Sequence, residues 1–237
     1  MADGQLLTEE QLGALRQFST CMIANAVETF NLRLRNTGFT SGKVKCMFPD
    51  DPPMVGYAVT ARLRSGEPPI GGGTFHDRAD FWNRILDSPT PRVLVLEDMD
   101  RPPGRGAFLG DMHAAILKAL GCIGYVTNGA VRELASIHTM GLKLFAGSIA
   151  VSHAYAHIFE VGATVTIDGM DVKPGDLLHG DKHGVLTIPP QIAATVPQVA
   201  AALERAENRV IEFCQSPDFS VEKLGEVMNE AKSQKGR

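Results

Sequence analysis

Residues 92–98, RVLVLED, restrict the fold more than any other segment of the chain. A short aliphatic run with no polar alternation, closed by acids, predicts a strand buried on both faces. Two strand–helix units follow it. The spacing predicts a helix over 111–120, with Ile116 and Leu120 on one face, then a strand over 122–127. A turn at Asn128–Gly129 leads to a second helix over 130–139 and a strand over 143–147. Strands alternating with helices are the pattern of a largely parallel sheet, so the expected class is α/β.

The flanking segments add to this core. Residues 8–30 place Leu12, Leu15, Phe18, Met22, Ala26 and Phe30 at helical spacing, with Thr8 as a cap and Ser19–Thr20 able to divide the segment into two helices. Residues 54–65 alternate as a strand, 68–77 form a loop, and 77–87 form a polar helix holding the chain's single tryptophan, Trp82. Residues 163–176 predict two short strands joined at Asp168–Gly169, a two-residue hairpin signal, and a second turn at 173–176. A strand over 184–189 precedes a long helix from Pro190 to about Cys214. The expected organisation is one domain over 1–215, with N-terminal helices at 8–30, a core at 54–189 and a helix at 190–214. A helical tail over 216–237 follows it. An amphipathic arm must bury its apolar stripe, so an oligomer contact is expected there.

Composition narrows the function. At 237 residues the chain can enclose a full core, and its net charge of −4 argues against a nucleic-acid coat. The four cysteines have no paired spacing, which predicts reduced thiols. The first residues are polar and acidic, unlike a signal peptide, and no apolar run reaches the ~18–20 residues of a membrane span. These features predict a cytoplasmic protein with no membrane contact and no direct nucleic-acid contact.

The chemistry concentrates between Gly104 and Gly141. Arg132 and Glu133 are expected at the start of one helix, and Gly110 and Asp111 at the start of the one before. A cation at a helix N-terminus loses ~0.3–1 kcal/mol to the macrodipole, and a bound anion removes that penalty. Open α/β sheets bind ligands at the carboxyl ends of their strands, where both loops lie. The backbone N–H groups of Gly110, Asp111, Met112 and His113 suit a carboxylate or phosphate. Arg132 offers a planar fork to a carboxylate, and Glu133 an oxygen ligand to Mg²⁺, which keeps several waters and needs one or two carboxylates. Spacing alone leaves a plainer reading open, in which Asp111 is an N-cap and Glu133 only favours the dipole.

Asp111, twenty residues, Arg132 and then an acid resembles the D-x20-R-D signature of the RraA-like family. That family includes metal-dependent pyruvate aldolases acting on 4-hydroxy-4-methyl-2-oxoglutarate and 4-carboxy-4-hydroxy-2-oxoadipate. Residues 54–62, 124–133, 165–176 and 183–189 are similar to its G-x-A-x-T strand, its central turn and its C-terminal β section, so the resemblance spans about 15–215. It implies a β/β/α sandwich of the swivelling-domain type, with N-terminal helices and a C-terminal helical arm, assembled as homotrimers or hexamers. It implies a lyase that cleaves a 4-hydroxy-2-oxo acid to pyruvate and also decarboxylates oxaloacetate. Mg²⁺ or Mn²⁺ would sit at Glu133, with Arg132 and Asp111 catalytic and the small 2-oxo acid substrate on Arg132 and the Gly110–His113 backbone. The resemblance also admits a non-catalytic inhibitor of ribonuclease E, or a catabolic enzyme for another 2-oxo acid. The chain departs from the family at its metal ligand: the family's Asp is Glu133 here, which carries the carboxylate one carbon further, roughly 1.5 Å. An acid that some relatives carry three residues later is Ser136. Glu207 and Glu212 are candidates for the glutamate that a neighbouring subunit's arm contributes in the aldolases.

The remaining motifs read as structural. Gly71–Gly73 lacks the spacing of a dinucleotide fingerprint and predicts a flexible loop. His153 and His157 stand four apart, as zinc ligands on a helix can, but lack a third ligand and read as a packed or solvated pair. Glu97, Asp98 and Asp100 form an acidic strand end near the expected mouth of the site, read mainly as structural, with support of the site by Asp98 as the lesser alternative. His179, Asp181 and His183 read as turn and surface residues. There is no G-x-S-x-G elbow for a serine hydrolase, and no convincing nucleotide or S-adenosylmethionine loop.

Overall fold

The computed structural model describes residues 6–72 and 79–234. Gly73 and the expected start of the polar helix at 77–78 lie outside them. Helices α1 (Glu9–Leu15) and α2 (Thr20–Glu28) precede strands β1 (Lys45–Cys46) and β2 (Met54–Arg64). Then come α3 (Ala79–Leu86), β3 (Arg92–Asp98), β4 (Ala107–Leu109), α4 (Asp111–Ala119), β5 (Cys122–Thr127), β6 (Ala130–Val131), α5 (Leu134–Thr139), β7 (Lys143–Ala146) and β8 (Ser148–Ile149). The C-terminal third holds β9 (His157–Val161), β10 (Val165–Ile167), β11 (Met170–Val172), β12 (Leu177–Asp181), β13 (Gly184–Ile188), α6 (Val196–Gln215) and α7 (Val221–Gln234).

The main sheet runs β1-β7-β5-β3-β2-β12-β13, with β9 also on β2. Its centre, β7-β5-β3-β2, is parallel, and antiparallel strands flank it. Alternate residues of β3 explain the layering. Leu94 and Leu96 point into a core shared with α3, α4 and α5, whereas Val93 and Val95 point into one closed by the β10–β11 hairpin. The result is the expected β/β/α stack. A third core packs α1, α2 and the first half of α6 over β2, β12 and β13. Thr8 caps α1 in a reciprocal box with Gln11, and Ser19 caps α2, so the N-terminal segment divides where its hydroxyls stand. At the hairpin tip, Asp168 and Gly169 both adopt positive φ, as a type I′ turn requires.

Several expectations need correction. β2 is buried on both faces over most of its length rather than alternating, because helices cover the face of Val55, Tyr57, Val59 and Ala61 and the core closed by the β10–β11 hairpin covers that of Met54 and Ala58. Ala114 and Leu117 are the buried residues of α4, with Leu120 packed against the same core from the C-cap, while Ile116 lines a cavity instead. The second helix starts at Leu134, because Ala130–Val131 pair as a strand. The long helix starts at Val196, six residues after Pro190. His179 and Asp181 are buried: β12 is inserted between β2 and β13, and its His179 imidazole lies between Thr20 Oγ1, at 2.9 Å, and the Leu15 carbonyl, at 3.2 Å. His157 lies in a strand with Nδ1 at the Tyr155 carbonyl, and His153 in the loop before it, so the two do not share a helical face.

Candidate functional site

A small parallel sheet, β4-β6-β8, builds the site at the carboxyl ends of β3 and β5. Leu109 pairs with Val131, and the Arg132 N–H donates to the Leu109 carbonyl at 3.1 Å. That register sets Gly110 directly against Arg132 and Glu133. A Cβ on Gly110 would lie 2.4 Å from Glu133 Oε2, so only glycine allows the carboxylate to rest there.

Arg132 and Glu133 precede α5 rather than opening it. Glu133 takes the N-cap position in the left-handed region, at φ 58° and ψ 40°, which is strained for a side-chain-bearing residue. This turn sends its carboxylate back to the start of α4. Oε2 accepts the Asp111 N–H at 2.9 Å, and Oε1 accepts from Arg132 Nη2. Asp111 Oδ1 accepts the Met112 N–H at 2.7 Å. Two of the donors expected to receive a substrate carboxylate are thus engaged by the protein's own carboxylates. The Arg132 guanidinium, together with the Asp111 N–H, holds the Glu133 carboxyl down to about 2, and Glu133 raises Arg132 in turn. Both side chains are about one-third exposed or less, and both face the cavity.

That cavity has a volume of about 500 Å³ and is bounded by Gly110–His113 on one side and by Arg132 and Glu133 on another. Trp82, Phe108, Ile116, His153 and Ala154 complete its walls. A second cavity of about 440 Å³ lies toward the amino ends of β2 and β3, beside Tyr57 and Pro89, away from these groups. Open α/β sheets use the opposite end, so the Arg132 cavity is the candidate.

Beneath it, Asp98 ends β3 and is buried. Its carboxylate accepts the N–H groups of Asp100 and Gly104, while its backbone exchanges two hydrogen bonds with the Asn128 amide. One residue thus ties the 99–106 loop to the turn before Arg132. Burial pushes its pKa up. Asp100 in turn accepts from Ser65 and Gly66, and the Ser65 hydroxyl accepts the Gly106 N–H. Sequence reading missed Ser65, Asn128 and the Trp82–Phe108 wall. Asn128 carried a signal as a polar residue at a strand's carboxyl end, but a turn explained it equally well.

Among the described residues no group of three His, Cys, Asp or Glu side chains converges as a metal cage. What the site does hold is an all-oxygen pair, Glu133 and Asp111. That donor set fits a hard divalent ion that keeps most of its waters, and would not suit zinc.

Residues 20–187 match the family model described as RraA-like, Aldolase/RraA. A protein of Halalkalibacterium halodurans, provisionally named 4-hydroxy-4-methyl-2-oxoglutarate aldolase, is 30% identical over 140 residues, covering 57% of this chain and 60% of its own. The chain spans 22% and 60% of the lengths of the first curated relatives it matches. Among solved structures, an uncharacterized protein from Pseudomonas syringae superposes with a TM-score of 0.74 at 22% identity, covering 98% of this chain and 97% of that one. Streptomyces coelicolor RraAS2, described as an unusual member of the RNase ES inhibitor RraA protein family, gives 0.68 at 20% identity, covering 86% and 96%. At these identities the two structures establish the fold.

Proposed function

The chain belongs to the RraA-like family, and on that premise we propose that it is a lyase that releases pyruvate from a 4-hydroxy-2-oxo acid. One observation carries the reading: a guanidinium and a carboxylate, Arg132 and Glu133, are held against the N-terminus of α4 in an open cavity. Glu133, with Asp111 beside it, would hold Mg²⁺ or Mn²⁺, which supplies Lewis acidity toward a 2-oxo carbonyl when bound. The chain's own groups do the rest. Arg132 binds the substrate carboxylate and offsets the negative charge that develops on the C2 oxygen. Asp111 orients the water that takes the proton from the C4 hydroxyl. The C3–C4 bond breaks, its electron pair passes into the C2 carbonyl as an enolate, and C4 leaves as a carbonyl compound. Protonation at C3 completes pyruvate. Oxaloacetate decarboxylation passes through the same enolate and is expected as a side activity.

The test is pyruvate release from 4-hydroxy-2-oxo acids and from oxaloacetate, with Mg²⁺ or Mn²⁺ and with EDTA. Metal-dependent turnover that falls at least a hundredfold in Arg132→Ala supports the lyase. A second reading draws on Glu133, both of whose oxygens already have protein partners. On it the chain is a protein-binding member of the family, acting on ribonuclease E or on another partner. Absence of turnover on every substrate and metal favours that reading, or a same-fold enzyme for another 2-oxo acid.

A further inference from the structure

The proposed reaction gives Arg132 and Glu133 separate tasks, one to receive a substrate carboxylate and the other to hold a cation, yet the fold hands them to each other. Glu133 Oε1 accepts from Arg132 Nη2, and Oε2 accepts the Asp111 N–H at 2.9 Å. The other terminal nitrogen of the guanidinium, Nη1, reaches the Val151 carbonyl at 3.5 Å. An arginine receives a carboxylate best with two parallel N–H donors. Here one of those donors already carries a carboxylate of the chain itself. The same carboxylate also takes a backbone N–H at the start of α4, a donor that suits a ligand oxygen. The seat is close-fitting. A Cβ on Gly110 would stand 2.4 Å from Glu133 Oε2 and 3.3 Å from Arg132 Nε, so both side chains rest where a side chain at 110 would project.

From this we infer that Glu133 is a built-in competitor for the substrate carboxylate: it occupies the Arg132 fork until it turns to a divalent cation, so the cation binds before the 2-oxo acid. The inference rests on the lyase reading and adds the regulation of its site. A carboxylate that arrives first must displace Glu133, and its apparent affinity falls by the fraction of molecules in which the fork is free. Glu133 frees Arg132 and the Asp111 N–H together when it moves to a cation. The coupling is reciprocal, so an acid bound on Arg132 raises the affinity for the cation by the same factor. The length of the glutamate sets the competition. Glu133→Asp keeps the charge but draws the carboxylate back by one C–C bond, roughly 1.5 Å, out of reach of the Asp111 N–H.

The test is the affinity for pyruvate, read by calorimetry and by the fluorescence of Trp82, the chain's single tryptophan, which lines the same cavity. Native protein, Glu133→Asp and Glu133→Gln are titrated in EDTA, and the native protein again with Mg²⁺. In EDTA, Glu133→Asp is expected to bind pyruvate at least about fivefold more tightly than the native protein, and Mg²⁺ to tighten the native protein by at least that factor. A gain in Glu133→Gln without one in Glu133→Asp would assign the weak binding to charge repulsion and overturn the inference. So would equal affinities in all three, or a native affinity that Mg²⁺ leaves unchanged. Deuterium exchange at C3 of pyruvate with Mg²⁺ tests the lyase separately. Exchange with no gain in Glu133→Asp removes the competitor and leaves the lyase standing, whereas the gain without exchange does the reverse. No exchange, with pyruvate bound by none of the proteins, overturns both.

Discussion

At the scale of single residues, Glu133 decides most of what the site can do. Its left-handed backbone is disfavoured by roughly 1–2 kcal/mol for a residue with a Cβ, and it persists because Arg132 and the Asp111 N–H hold the carboxylate. Glu133→Gly and Glu133→Ala both remove the carboxylate, but only glycine relieves the backbone. Urea unfolding should find the glycine variant more stable than the alanine variant by about 1 kcal/mol, with both inactive. Equal stabilities would mean that the turn is not strained. Gly110→Ala should displace the same carboxylate, lowering activity while leaving the fold intact. The Asp111, Arg132 and Glu133 constellation was legible in the sequence because chemistry of this kind needs charged residues at fixed spacing. The left-handed turn was not legible. It follows from the pairing of Ala130–Val131 with β4 and β8, which takes two residues out of the expected helix.

At the scale of elements, β3 was legible from its own composition: four aliphatic residues in a row, Val93–Leu96, need burial on both sides. β12 was not, since LLHGD carries a histidine and an aspartate that suggest a surface. Both are accommodated by the N-terminal helices. Asp181 accepts the Thr20 N–H and two donors of His183, and His179 lies against Thr20 and Leu15. Burial holds the His179 imidazole down to about 4, against 6.5 for an exposed one, although the Leu15 carbonyl and Asp181 favour its charged form. The unfolded chain therefore binds more protons between these values, and stability is lost as pH falls from about 6.5 toward 4. The loss attributable to this residue reaches on the order of 3 kcal/mol. Urea midpoints at pH 7 and pH 4.5 should drop less in His179→Gln than in the native protein. The loop that frames the site depends on Asp98 in the same way. Asp98→Ala leaves the N–H groups of Asp100 and Gly104 without their acceptor and should destabilise by about 1–3 kcal/mol.

At the scale of the whole molecule, the layered order of the fold places the β10–β11 hairpin on one face of the sheet, the helices on the other, and the candidate site at the strand ends between β4 and β6. The hairpin and the parallel units were readable because turn residues and buried runs are local signals. The two-residue strands β6 and β8 were not, since their pairing depends on residues far apart in sequence. The half of α6 beyond Ala206 and all of α7 leave Ile211, Val221 and Met228 exposed. Together with exposed Ile149 and Val151 beside the site, they fit the proposal that the chain works as an assembly. Light scattering is expected to give three or six times the 25.5 kDa of one chain, and a monomer at micromolar concentration would refute that assembly. Enolate chemistry at Arg132 and Glu133 is the core of the proposed function. Its most direct measurement is deuterium exchange at C3 of pyruvate, followed by NMR with Mg²⁺ and with EDTA, in the native protein and in Glu133→Ala. Exchange that requires the metal and disappears with the Glu133 carboxylate is the predicted result. Exchange unchanged by EDTA and by the substitution, or none in the native protein, would contradict it.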